Sequence, residues 1–398
     1  MRISTASSFD TGVDTLQKRQ GELAEAQERL ASGKRVARAS DDPAAAARAE
    51  HALAAVLRSA TSQRAVDASR TAIEQTESAL GDANDLLQQA REALVAGGNA
   101  AYGDDQRHSI AEQLKAIRDQ LFMVANRSDG AGSYLFGGQG TTQKPFVDAP
   151  GGVRFAATPG QISTEQTTAL PLTTDGSAVW LAAPTGNGVF ATSAAAGVTN
   201  AQIDGGQVAD PALLTGADYT LQFSVAGGAT TYAILKNGAP TAVTAAPYVS
   251  GQAIAFDGMT MSVSGTPADG DTFQVAPSTA SLSVFDVLDK AVADLASTGR
   301  SGAQRAQATA DDLRNVDSVM GRMQSARSLA GAVLNRIDSE TDRLAAQKLS
   351  AQTEQSAAED LDMVQAISDF QTRQTGYDAA LKSYAMVQRL SLFQYLGG

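Results

Sequence analysis

The sequence has no cysteine, two histidines, a single tryptophan and aromatic residues at only 5% of its 398 positions. Without cysteine, disulfides, thiolate zinc sites, iron–sulfur clusters and cysteine nucleophiles are all excluded. His51 and His108 have no second histidine at metal-ligand spacing, so neither a histidine metal centre nor a catalytic relay is expected. Positive charge is also short. Against 43 Asp+Glu stand 31 Lys+Arg, a net charge of −12, which argues against a nucleic-acid partner because phosphate neutralisation needs a basic face. No apolar run approaches the roughly 18 residues of a membrane-spanning helix, so no membrane insertion is expected. The opening Met1–Asp10 lacks the apolar stretch of a signal peptide. With aromatics scarce, a core must be built from Ala, Leu, Val and Ile. Those are plentiful: 43% of residues are hydrophobic and 19% charged, the balance of a folded chain.

Composition divides the chain into three zones. Residues 1 to about 138 and about 283 to 398 are dominated by Ala, Gln, Arg, Glu and Leu, with Pro43 the only proline, and read as helix. Between them the text changes to Gly, Thr, Val and Pro in short alternating runs. The helical zones repeat every seven residues. Phe9, Leu16, Leu23 and Leu30 fall on one line with Val13; Val66, Ile73, Leu80, Leu87 and Leu94 form another. Ile110 to Val124 steps 4-3-4-3, and Leu313 to Leu344 continues the rule with a polar break at Arg327. Near the end Met363, Phe370, Tyr377 and Tyr384 step by seven, with Ile367, Gln374 and Leu381 as expected companions. A sustained seven-residue repeat produces a seam that winds against a partner helix. The expected fold is therefore α+β: a long antiparallel helical bundle, a coiled-coil rod formed by both termini, with an inserted β-rich domain.

Cap residues place the breaks. Ser32-Gly33 reads as a helix stop, and Asp42-Pro43 as a restart, with Asp42 the N-cap and Pro43 the first helical position. Gly97-Gly98-Asn99 ends the second helix, and Asp104-Asp105 opens a third that runs toward Ser128. These breaks divide the chain into an N-terminal assembly helix, 1–42; two parts of a helical rod, 43–138 and 283–359; a β-rich outer domain, 139–282; and a C-terminal assembly helix, 360–398. In the insertion, Tyr219–Val225 and Thr230–Leu235 alternate around Gly227-Gly228 and read as a hairpin. Gly258–Val263 and Thr272–Val275 read as another, joined through Pro267–Asp271. Val153–Phe155 and Ala178–Leu181 are weaker strand candidates.

Motifs that could carry chemistry fail on inspection. Ser32-Gly33-Lys34-Arg35 lacks the glycine spacing and the hydroxyl residue of a phosphate loop. Asp41-Asp42 precedes a proline and an alanine-rich helix, the place of a capping device. Asp269 and Asp271 flank Gly270 in a turn without the further oxygen ligands of a calcium loop. No catalytic, cofactor-binding or metal-binding residue is expected, and the chain does not read as an enzyme. The termini stand out instead, since an isolated amphipathic helix needs partners to be stable in water.

Leu30-Ala31-Ser32-Gly33-Lys34-Arg35-Val36, followed by Ser40-Asp41-Asp42-Pro43-Ala44-Ala45, resembles the N-terminal signature of the bacterial flagellin family. Tyr384-Ala385 and Ser391-Leu392-Phe393-Gln394-Tyr395-Leu396 resemble its C-terminal signature. Tyr134, Leu135, Phe136, Gly137 and Gly138, with Pro145-Phe146 after them, are similar to the hook-associated branch of that family, as is the start Met1–Thr5. The resemblance implies a structural subunit that joins hook to filament and is needed for motility; a filament subunit is the alternative. It also implies secretion through the flagellar type III export apparatus without a cleaved signal. The implied partners are further copies in a ring, the neighbouring hook-associated protein, flagellin, and an export chaperone that holds about Ser350 to Leu396. The implied assembly surface comprises Phe9, Val13, Leu16, Leu23 and Leu30 with Ile367, Phe370, Tyr377, Leu381, Tyr384, Leu392 and Tyr395.

Overall fold

The computed structural model describes residues 5–164 and 169–396, with side chains described from Asp10 to Met386 inside those ranges. Phe9, Leu392 and Tyr395 of the expected surface therefore lie outside the described side chains. The chain divides into two compact units: residues up to 64 with those from 339 onward, and residues 65–338. Seven α-helices occur among the described residues: α1 (Thr5–Ser32), α2 (Pro43–Gly97), α3 (Asp104–Ala125), α4 (Gly176–Trp180), α5 (Val284–Ala296), α6 (Gly302–Glu359) and α7 (Met363–Leu396).

In residues 65–338 the heptad line of α2 is the spine of the core. Val66, Ile73, Leu80, Leu87 and Leu94 are all buried, as are Leu114, Ile117, Leu121 and Val124 of α3 and Val316, Val319 and Met323 of α6. Three ion pairs fix α2 against α6: Arg70 with Asp338 (2.6 Å), Glu77 with Arg327 (2.5 Å) and Arg91 with Asp317 (2.7 Å). Numbers rise on one helix as they fall on the other, so the pair is antiparallel. The polar break at Arg327 is thus an interhelical bond. Arg118 of α3 is buried between Asp148 (2.6 Å) and Asp289 (3.1 Å), with Phe122 and Phe285 beside its guanidinium. That contact holds the Asp148 carboxyl below its ordinary range, against the effect of burial.

The β-rich segment contributes to two cores rather than one. Phe146, Val153, Trp180 and Ala183 pack into the helical core, where Trp180 stacks on Phe285 (centroids 5.8 Å, 9°) and meets Phe136 edge-on (5.4 Å). Residues 190–277 form a second core between two antiparallel sheets. In one sheet, Tyr219–Ala226 lies between Ala229–Lys236 and Thr272–Pro277, and the latter also pairs with Phe190–Ala194. In the other, Met259–Gly265 pairs with Ala253–Phe256 and Ala201–Ile203. Alternate residues Tyr219, Leu221 and Phe223 face Met259, Met261 and Val263 in the shared core.

Two sequence expectations are corrected here. Ala178–Leu181 is not a strand: Asp175 accepts from the Ser177 N–H (3.0 Å) and the Ala178 N–H (3.3 Å), a cap that starts the short helix α4. Met259–Gly265 and Thr272–Pro277 are not partners. The true hairpin turns at Asp257-Gly258, both with left-handed φ (42° and 78°), and returns to Ala253–Phe256. The turn at Gly227-Gly228 has the expected place, between Tyr219–Ala226 and Ala229–Lys236.

Candidate assembly surface

The turn between α1 and α2 is built as the caps suggest. Gly33 takes φ +71°, and its N–H donates to Arg29 O (2.9 Å), closing α1. Asp42 Oδ1 accepts the Ala45 N–H (3.0 Å), and Asp41 Oδ2 accepts those of Arg38 (2.9 Å) and Ala37 (3.1 Å). The Arg38 N–H above all, then that of Ala37, holds Asp41 below the usual carboxylate range; the Ala45 N–H and then Arg35 do the same for Asp42. The sequence motif has a further use that spacing did not reveal. Arg35 N–H donates to Glu359 O (2.7 Å), its guanidinium to Ala358 O (2.7 Å), and Leu361 N–H to Gly33 O (3.0 Å). Lys34 Nζ lies 3.1 Å from the Glu359 carboxylate. The Ser32–Val36 segment therefore clasps the end of α6 and aims α7 back along α1.

The α1–α7 pair that results is antiparallel and shallow. Val13, Leu16, Leu23 and Leu30 are half-buried, and so are Phe370, Tyr377 and Tyr384. Their companions on α7 are Ala366, Arg373 and Ala380, not the expected Ile367, Gln374 and Leu381. Ile367 is 46% exposed and Leu381 44%, on the side of α7 away from the seam. The seven-residue step located one seam position correctly; the choice between neighbours one residue apart was set by close approach. Gly12 lies under Tyr384, where a Cβ would sit 3.2 Å from the ring. Gly376 leaves room for Arg19, and Arg373 donates to Glu22 O (3.1 Å). A pocket of about 250 Å³ at this junction is lined by Glu25, Asp362 and Asp369 with Arg29, Arg35 and Arg373, so its charges balance. Met363, Val364 and Met386 add to the exposed apolar side chains of α7.

The lower part of the same unit is packed on alanine. Ala45, Ala49 and Ala52 of α2 are buried, as are Ala351 and Ala358 of α6 with Leu344. Side chains this small bring backbones close but bury little apolar area per residue.

Tyr134–Gly138 belongs to residues 65–338 and is interior, not a surface. Leu135 and Phe136 are buried; Leu135 N–H donates to Arg127 O (3.1 Å) and Thr174 N–H to Leu135 O (2.9 Å). At Gly138, φ is +61° and a Cβ would come within 2.1 Å of Thr158 O, so only glycine fits. The motif is a packing joint between α3 and the Phe136–Trp180 cluster.

Among the described residues, no group of three or more His, Asp or Glu side chains could hold a metal ion, and both histidines are exposed. No helix among them is long and apolar enough to cross a membrane.

Comparison with known proteins agrees with this geometry. Residues 3–141 match the family model described as the bacterial flagellin N-terminal helical region, and residues 313–396 the C-terminal helical region; together these exceed half of the chain. Residues 192–277 match a D2-like domain of flagellar hook-associated protein 1. The chain is 39% identical over 157 residues to flagellar hook-associated protein 3 of Salmonella typhimurium, covering 38% of this chain and 48% of that one. It thus spans about half the length of the curated relatives it matches. Among solved structures, Xanthomonas campestris FlgL is 29% identical with a TM-score of 0.68, covering 77% of this chain and 99% of that one. The flagellar junction protein FlgL of Legionella pneumophila is 26% identical with a TM-score of 0.64, covering 70% and 94%.

Proposed function

The chain belongs to the bacterial flagellin family, and on that premise we propose that it is a structural subunit of the flagellum that joins the hook to the filament. The observation that carries this reading is the incomplete burial of the α1–α7 seam. A helix pair whose heptad residues stay half-exposed, with Ile367 and Leu381 outward, has apolar area left for neighbouring subunits. The junction role rather than the filament role is supported by the hook-associated and junction proteins among its relatives.

In this reading 1–42 and 360–398 are the assembly helices, 43–138 and 283–359 the rod, and 139–282 the outer domain. Phe9, Val13, Leu16, Leu23 and Leu30 pack with Phe370, Tyr377 and Tyr384; Ile367, Leu381, Leu392 and Tyr395 meet other subunits. The partners are further copies in a ring, the adjacent hook-associated protein and flagellin, with an export chaperone before secretion through the flagellar apparatus. The protein works outside the cell without catalysis, cofactor or metal. Electron microscopy of a strain lacking the chain tests this. Hooks without filaments, and flagellin shed into the medium, are expected; normal filaments would overturn it, and long filaments grown from the purified chain alone would make it a filament subunit.

A further inference from the structure

Where α2 ends and α6 begins, the core of residues 65–338 encloses charge. Gly97 and Gly98 finish α2 against Leu295 and Thr309, with no room for a Cβ at either position. Beside them lies a cavity of about 140 Å³ whose lining includes Arg107, Asp294, Arg305 and Asp312. The Asp312 side chain is 2% exposed, and its Oδ1 accepts from Lys290 Nζ (2.9 Å). Lys290 also holds Asp294 (2.5 Å), which accepts from Arg300 (2.7 Å) in the turn between α5 and α6. Arg107 of α3 is nearly buried, yet its nearest partners are distant, Asn99 O at 3.4 Å and Asp104 at 3.6 Å.

We propose that Asp312 is a proton switch that stabilises the fold of residues 65–338 when it takes up a proton. The charged groups around it are Lys290 and Asp294 from α5, Arg300 from the turn, Arg107 from α3, and Arg305 and Asp311 from α6 itself. Asp294 stays ionised, because Lys290 and Arg300 outweigh the effect of its burial. Lys290 stays charged, since Asp312 and Asp294 outweigh burial there too. Asp311 is occupied by Gln307 (3.0 Å) and Arg314 (2.9 Å). Asp312 differs from these carboxylates: burial pushes it up to about 6, although Lys290 pulls the other way.

A carboxyl raised in the folded state binds its proton more tightly there than in the unfolded chain, whose value is about 3.9. Folding is therefore favoured as pH falls from about 6 toward 4, and that gain is lost as pH rises through about 6. Once neutral, the carboxyl no longer bears the cost of a buried charge and can donate a hydrogen bond into the polar cavity. Lys290 remains on Asp294, so the α5 end of the cluster keeps its ion pair.

The test is thermal unfolding of the full chain at pH about 5 and about 7.5, for the natural sequence and Asp312→Asn. The natural chain is expected to melt higher at the lower pH by at least about 3 °C in the transition of residues 65–338. Asp312→Asn should melt higher than the natural chain at the upper pH and lose the difference between the two. A natural chain without the acid gain, or a variant that keeps it, overturns the proposal. If the variant does not fold, carboxyl-carbon NMR titration of Asp312 in the natural chain decides instead. A midpoint near 6 supports the switch, and one near 4 removes it.

Discussion

Leu80, Leu87 and Leu94 of α2 are at most 1% exposed, while Leu16, Leu23 and Leu30 of α1, on the same seven-residue step, are only half-buried. The two lines have the same residue type and the same spacing. What differs is the number of neighbours. The α2 line is covered by α3, α5, α6 and an aromatic cluster around Trp180, whereas among the described residues the α1 line packs on α7. A heptad therefore reports that a helix has a partner, not how many. One region finishes its core within the chain; the other leaves apolar side chains half-buried or exposed.

The comparison can be broken at its strong end. Trp180→Ala would open a cavity under Phe136 and Phe285 and should cost about 4 kcal/mol, read in a denaturant melt of residues 65–338. Leu87→Ala should cost about 3 kcal/mol by the same measurement. A loss below about 1 kcal/mol for either would mean that this core is not the tightly packed one described.

In the alanine-packed part of the other unit the sign of the size effect reverses. Ala49→Leu should overpack the close approach and cost about 2 kcal/mol, although it adds apolar surface. Circular dichroism of the full chain checks it; stabilisation would show that the seam has room.

The smallest effect on folding is expected at Leu23, together with a large effect on assembly. Leu23→Asp should leave the melting of residues 65–338 unchanged in dilute monomer, yet abolish swimming, since assembly would bury an unpaired carboxylate. Glu25→Ala removes only an exposed pair with Arg29 (2.5 Å) and should swim normally. Normal swimming with Leu23→Asp, or equal damage from Glu25→Ala, would remove the α1 line from the assembly surface. Limited proteolysis of dilute monomer should also cut α1 and α7 before residues 65–338, because the seam buries too little to offset chain entropy of about 1–2 kcal/mol per residue. Uniform resistance would erase the contrast between the units.

Much of the helical frame was legible because caps and repeats are local. Asp42 accepting from Ala45, Gly33 in the left-handed region and the buried line from Val66 to Leu94 each depend on residues close in sequence. Ile367 and Leu381 were misplaced relative to the seam because a heptad cannot choose between adjacent positions when Gly12 and Gly376 allow Tyr384 and Arg19 to come close. The Asp257-Gly258 dipeptide suits a left-handed turn and so marks its hairpin locally, whereas the alternation of Thr272–Val275 marks a strand without saying which strand it joins.

By itself the sequence determined the long helices, the breaks at Ser32-Gly33 and Gly97–Asn99, the antiparallel return and the absence of thiol chemistry, all properties of composition and short-range spacing. The tertiary structure alone decided which strands share a sheet, that Tyr134–Gly138 is an interior joint, and that Arg35 clasps the end of α6. It also decided that Asp312 is buried against Lys290 and lines one cavity with Arg107. These depend on residues more than 20 positions apart in sequence, or on backbone approach at glycine, and neither leaves a periodic mark in the chain.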